Sequence, residues 1–423
     1  MKNSISTLCL ALAPALALAC GDAKELPDIS PVAVVALDDH IVWVDAQNDE
    51  AHLLDVSDER PSSKTTRFAL PKGSTVVQRR NGKNEVLVMS VGDSEVPGKL
   101  AVVSPDGVDR IHEFATSYDR LVQSDDGNFA LAMFSENVSG FVGAGSLLFN
   151  PSEVSIVKLN ESSDTRVVTR PLSAVPRAAR RVLFAPPMTV GGKAKQLAVA
   201  LFASQVAILD LEHLDRPAYT IELSQSADLD LSQALFSPDE RKIYLLGARS
   251  SDIFVISLLP AGVSRTNDFE PTVNQLGAGE TPTDMVLYGA GAERRLLAVS
   301  PESALVIQAS SNRVTPVLLE FPASRIVYFE GRAPAEDREE ARALLYGATA
   351  VVTFVDLEDI EERGTRNLEI LNVGSGITAA TTLSKSLVLL KHGDNSLSLL
   401  DLEKRSATKI SAQVDLSSAI PDF

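Results

Sequence analysis

The sequence predicts an all-β fold of repeated four-stranded units, and three observations carry that prediction. Short apolar runs, alternating or continuous, recur from Val32 to Leu416 between clusters of Gly, Asn, Asp, Ser and Pro, and few long helices are credible. Runs of that length and punctuation read as strands joined by tight turns. The units follow one another at roughly even intervals without a linker, as radial repetition requires. With aromatics at 5% and Trp43 the one Trp, Val, Leu, Ile and Ala must fill the cores.

The clearest unit runs Leu235-Phe236-Ser237-Pro238-Asp239-Glu240-Arg241-Lys242-Ile243-Tyr244-Leu245-Leu246 and continues as Asp252-Ile253-Phe254-Val255-Ile256-Ser257-Leu258. Pro238 fixes its φ and Asp239 can bond the turn backbone, so the chain reverses between two strands. A second copy, Leu121 to Ala132, turns at Asp125-Asp126-Gly127, and a third, Val76 to Met89, turns at Asn81-Gly82. An inner hairpin recurs too, ending in an apolar strand and an Asp: Asp55, Asp210, Asp356 and Asp401. Repetition of that Asp assigns it a structural task, bonding the backbone of the next turn.

First strands are expected near Val32, Thr75, Asp119, Arg181, Ser232, Thr283, Ser324 and Ile377, with spacings of about 43, 44, 62, 51, 51, 41 and 53 residues. The long third interval holds the insertion Ser135 to Pro151, and the seventh holds Gly331 to Glu340, read as a charged loop with room for a helical turn. The expected architecture is a single β-propeller of seven or eight four-stranded blades over residues 32–423, eight being preferred. A string of β-sandwiches is the competing fold.

The repeat Ser237-Pro238-Asp239-Glu240 with Arg241 to Leu246 and Asp252 to Leu258 resembles the YVTN-type, lactonase-like β-propeller family. The resemblance covers nearly all of the chain after its leader, with the fifth unit as its close match. It implies a WD40-like propeller, although the Gly-His and Trp-Asp signature of WD40 blades, the Gly-Gly pairs of kelch and the aspartate boxes of sialidases are absent. It also raises a lactonase-like hydrolase, with a metal or small molecule in a central channel, by analogy alone.

Residues 1–19 read as an export signal: Lys2, then the apolar stretch Leu8 to Leu18, then small residues. Leu16-Ala17-Leu18-Ala19-Cys20 resembles a bacterial lipobox, with Ala17 where Leu is usual. Cys20 is therefore the expected lipidation site, and residues 20–31 a lipidated Cys and tether. Each buried acyl methylene adds about 0.8 kcal/mol to such an anchor. Gly21, rather than Asp, follows the Cys, which favours the outer membrane over the inner. Cys9 leaves with the signal, so Cys20 is the single mature cysteine. Neither an internal disulfide nor a thiolate cluster is then available.

The net charge is −17 at pH 7 and −18 once Lys2 is removed. The acidity is spread over many blocks, and a surface of that sign repels phosphate backbones, so nucleic acid is not an expected partner. His40, His52, His112, His213 and His392 have no His neighbour within four residues and no H-E-x-x-H. His40 and His392 read as surface turn residues. G-x-S-x-G is absent, and Gly140 to Gly145 lacks the Lys-Ser/Thr of a phosphate loop. Asp45, Asp49 and Glu50, and the pair Asp228 and Asp230, lack EF-hand spacing and read as solvated turn acids. No catalytic residue, metal or cofactor is therefore assigned. The expected function is a non-catalytic binding or scaffolding lipoprotein of the cell envelope, meeting a protein partner through Ser135–Pro151 and Gly331–Glu340.

Overall fold

The computed structural model describes residues 33–56, 65–92, 97–135, 150–160, 167–225, 228–261, 268–332, 339–357, 360 and 368–410. Cys20 and the Gly140–Gly145 stretch lie outside these residues. The described chain forms eight antiparallel four-stranded sheets. Seven use four consecutive strands. In sheet four a separate hairpin, Met188–Val190 paired with Lys193–Lys195, is inserted between the first and second strands.

First strands are Ala33–Ala36, Ser74–Arg79, Arg120–Gln123, Arg181–Phe184, Leu231–Ser237, Asp284–Tyr288, Arg325–Arg332 and Ile377–Ser384. Each starts within one residue of its expected position. The turns explain the agreement, because each is closed by local chemistry. In sheet five the N–H of Arg241 donates to the Pro238 carbonyl at 3.2 Å, and Ser237 Oγ donates to Glu240 at 3.2 Å. In sheet three Gly127 has φ 66°, and a Cβ there would sit 2.2 Å from the Asn81 carbonyl oxygen. Only glycine fits that approach. The recurrent Asp residues close the third strands, at the ends of the inner hairpins. Asp210 and Asp401 accept the N–H groups of Glu212, and of Glu403 and Lys404, at 2.9–3.1 Å, as the turn-bonding role requires.

Three second strands are buried along their whole length, Val86–Ser90, Phe129–Met133 and Leu197–Leu201. Their continuous apolar runs follow from having a neighbour on both faces.

The chain divides into two compact units. One comprises Met1–Phe184, Leu197–Ala200 and Ala207–Thr220; the other comprises Ala185–Gln196, Leu201–Val206 and Ile221–Phe423. In the first, Val86 and Val88 pack with Val42, Val44 and Leu53 of sheet one, whereas Leu87 and Met89 pack with Leu121, Ala130 and Phe134 of sheet three. In the second, Leu296 and Ala298 pack with sheet five, and Leu297 and Val299 with sheet seven. Leu344 and Tyr346 pack with sheet eight. The cores therefore lie between successive sheets, each central strand serving two of them.

The segment Gly331–Glu340 departs from expectation. Its described ends continue the first two strands of sheet seven, with Gly331 opposite Glu340 and Arg332 opposite Glu339. Strand pairing, rather than a loop, holds those described ends, and the expected helical turn falls on residues 333–338, outside the described residues. This segment joins strands one and two of its sheet, whereas Ser135–Pro151 joins strands two and three of sheet three.

Candidate functional site

In the second unit, polar side chains tie together the starts of successive first strands. Gln233 Nε2 donates to Asp284 Oδ1 at 3.1 Å and to the Met285 carbonyl at 3.0 Å. Asp284 Oδ2 accepts the Ile326 N–H at 2.9 Å, and Thr283 Oγ1 donates to the Ser324 carbonyl at 2.9 Å. Burial raises the Asp284 carboxyl, against the N–H groups of Ile326 and Met285 and the Arg325 charge, which lower it. Burial also raises Tyr346, and the Asp284 carboxylate adds to the effect. Perturbed acids on several elements can mark active sites. Here both carboxylate oxygens already accept hydrogen bonds from the chain, so the cluster serves as a clamp between sheets five, six and seven.

Because those starts are joined, links between strands one and two, and between three and four, leave sheets five to seven on the opposite side. That side carries the long excursions. The third and fourth strands of sheet five, Asp252–Pro260 and Phe269–Gly277, stay paired for nine residues each. The first two strands of sheet seven pair for eight. The inserted hairpin of sheet four packs on the sheet-five pair. Its turn, Gly191-Gly192, has φ 59° and 78°, the positive values of a type I′ hairpin. Lys195 Nζ, on a side chain 1% exposed, meets Asp268 Oδ2 at 2.6 Å, and Lys193 Nζ meets Oδ1 at 2.9 Å. The result is a two-hairpin platform locked by a buried ion pair. The Gly-Gly turn was a legible signal for this hairpin, which the strand pattern alone did not reveal.

The acidic candidates resolve into turns. Asp45 Oδ1 accepts the N–H groups of Gln47 and Asn48, and its Oδ2 accepts Asn48 Nδ2 at 2.7 Å. The Asn48 side chain is the chief cause of its lowered carboxyl. Asp49 accepts the Gly73 N–H, Glu50 lies 3.5 Å from His52, and Asp228 and Asp230 face Arg249.

The histidines differ more from expectation. His40 begins a strand and is half-buried. His392, read as a surface turn residue, ends a strand and is 1% exposed. Its Nδ1 lies 3.0 Å from the Ser375 carbonyl, which can only accept, so Nδ1 donates there, and Nε2 lies 2.8 Å from Ser398 Oγ. A Ser–His pair is thereby formed, but Ser398 is 3% exposed, which closes it to a substrate. His52 is buried and stacks on Trp43 with centroids 5.2 Å apart.

His112 is 2% exposed, and neither ring nitrogen has a hydrogen-bond partner among the described residues. Burial, then the Arg110 charge, lowers its pKa. The unfolded chain therefore binds the proton more readily, near the ordinary value of about 6.5. Stability should fall as pH drops below that value, by up to about 1.4 kcal/mol per pH unit for this one group. His112→Leu should flatten the dependence, read as urea midpoints between neutral and mildly acid pH. Parallel profiles for the two proteins would remove His112 as the cause.

No family model and no curated protein matches the chain. Solved structures do. A eukaryotic initiation factor superposes with a TM-score of 0.53 at 10% identity, over 92% of this chain and 90% of that one. The fold is that of a β-propeller. The dihydro-heme d1 dehydrogenase NirN, in complex with DHE, gives a TM-score of 0.46 at 12% identity, over 93% of this chain and 78% of its own. Saccharomyces cerevisiae Sqt1 gives 0.45 at 11%, over 91% and 96%. At such identities the likeness is one of fold alone.

Proposed function

We propose that the chain is a non-catalytic binding and scaffolding lipoprotein of the bacterial cell envelope, anchored through acylated Cys20, with the outer membrane favoured. Its protein partner would meet the excursion-bearing side of the second unit. The observation that carries this reading is the platform of the Met188–Lys195 hairpin on the long hairpin of sheet five, fixed by Lys195 and Asp268. A preordered projection costs little further ordering on binding. The polar clusters described above support the same reading, since Asp284 and His392 already engage groups of the chain itself.

In-cell crosslinking followed by purification tests the proposal, with Cys20→Ala as the unanchored control. A discrete envelope partner, reduced in that control and lost when residues 333–338 are deleted or Lys193 is reversed in charge, is the expected result. Recovery of the anchored protein alone would set the scaffold reading aside.

A further inference from the structure

From Thr165 to Leu209 the chain contains seven Lys and Arg and no Asp or Glu, in a protein that otherwise sets 32 basic residues against 56 acidic ones. This block interrupts the dispersed acidity. Its middle forms the link between sheets three and four in the first unit, from Leu172 to Arg180. The link is held at its base. Leu172 N–H donates to the Ser152 carbonyl at 3.0 Å, and Ser152 Oγ donates to the Ser173 carbonyl at 2.8 Å. Val175 N–H donates to Ser173 Oγ at 3.0 Å, and Arg120 Nη1 donates to the Arg180 carbonyl at 2.8 Å. Leu172, Ser173 and Ala179 are buried, whereas Ala174, Val175, Pro176 and Arg177 stand exposed, Val175 at 45%.

The outcome is a fixed apolar tip flanked by guanidinium groups. Arg177 and Arg181 are exposed and Arg180 half-exposed, with Arg120 beneath them; Arg180 and Arg181 also hold contacts inside the chain.

We infer that the Leu172–Arg181 link is a peripheral membrane-contact site that recognises anionic phospholipid headgroups. Guanidinium groups match phosphate, and a small apolar tip can enter the boundary between headgroups and acyl chains. An acidic protein segment would use the arginines but leave Val175 and Pro176 without a role. The site complements the Cys20 anchor by choosing which side of the first unit lies against the bilayer, yet it does not depend on acylation.

Residues 21–423, which contain every described strand, provide the test in unacylated form. Vesicles of phosphatidylcholine with about one-third phosphatidylglycerol would be compared with pure phosphatidylcholine, at low and near-physiological salt. Binding to the anionic vesicles, weakened by salt, is expected. Arg177→Ala should weaken it about five-fold, and Arg177→Ala with Arg181→Ala about 25-fold. Val175→Asp should weaken it as well. Equal binding to both vesicles, or undiminished binding by the double variant with an unaltered melting temperature, would overturn the inference. So would capture of an acidic protein through the same arginines without vesicle binding. Failure of acylation at Cys20 would leave this result untouched, so the two ideas fall separately.

Discussion

Arg80→Ala is expected to destabilise the first unit by about 3–5 kcal/mol, the usual cost of removing one member of a buried ion pair. Arg80 follows the first strand of sheet two and its side chain is 1% exposed. All three guanidinium nitrogens are used. Nε donates to the Gly127 carbonyl at 2.7 Å, Nη1 pairs with Glu85, and Nη2 donates to the Asn160 side chain. Arg110 meets the same Glu85 carboxylate at 3.3 Å. The fork therefore joins the turn of sheet two to two turns of sheet three. Truncation would leave Glu85, 20% exposed, with one cation, and would strip a buried carbonyl of its donor. Arg80→Lys keeps the charge but cannot reproduce three planar bonds, so it should recover only part of the loss. Urea unfolding reads both variants. A shift in Arg80→Ala below about 1 kcal/mol would mean that the network has no stabilising role.

The contrast between that network and the strand pattern shows where the sequence is legible. Strand starts could be placed because Ser237-Pro238-Asp239-Glu240, Asp125-Asp126-Gly127 and Asn81-Gly82 determine their turns through neighbours a few residues away. Eight units follow from the recurrence of those turns. His392 was misread because Gly393-Asp394-Asn395 does form a turn, but His392 is the last strand residue before it. Its inward direction is set by Ser398 across the hairpin and by Ser375, on the preceding segment. The rim of Gln233, Asp284 and Ile326 spans three sheets, with 51 and 42 residues between successive partners. No local pattern announces such pairs, since they depend on which strand ends meet. The apolar repeat gives the sheets, whereas the polar contacts between sheets follow only from their packing.

The same limit applies to Lys195 and Asp268, 73 residues apart. Asp268→Ala should loosen the platform by about 3 kcal/mol, because it takes a carboxylate from an ammonium group almost wholly removed from water. The hydrogen bonds from Lys195, then Lys193, hold the Asp268 carboxyl well below the usual carboxylate range despite the opposing effect of burial. With its folded pKa depressed, Asp268 contributes stability that is complete above the unfolded value of about 4 and is lost as pH falls through the folded value. The loss should be local first. Trypsin cleavage after Lys193 and Lys195 reports undocking of the hairpin, and should quicken in Asp268→Ala at neutral pH and in the native protein only under strong acid, where pepsin must replace trypsin. Lys195→Met with Asp268→Leu replaces the pair by apolar groups of similar size and should restore most of the protection at Lys193, the trypsin site that this variant keeps, since a buried pair often exceeds its apolar substitute by little or nothing. If cleavage rates in Asp268→Ala match those of the native chain, the ion pair does not hold the hairpin. A preordered platform would then lose its physical basis, and the partner-binding side of the second unit would have to be sought among its other excursions.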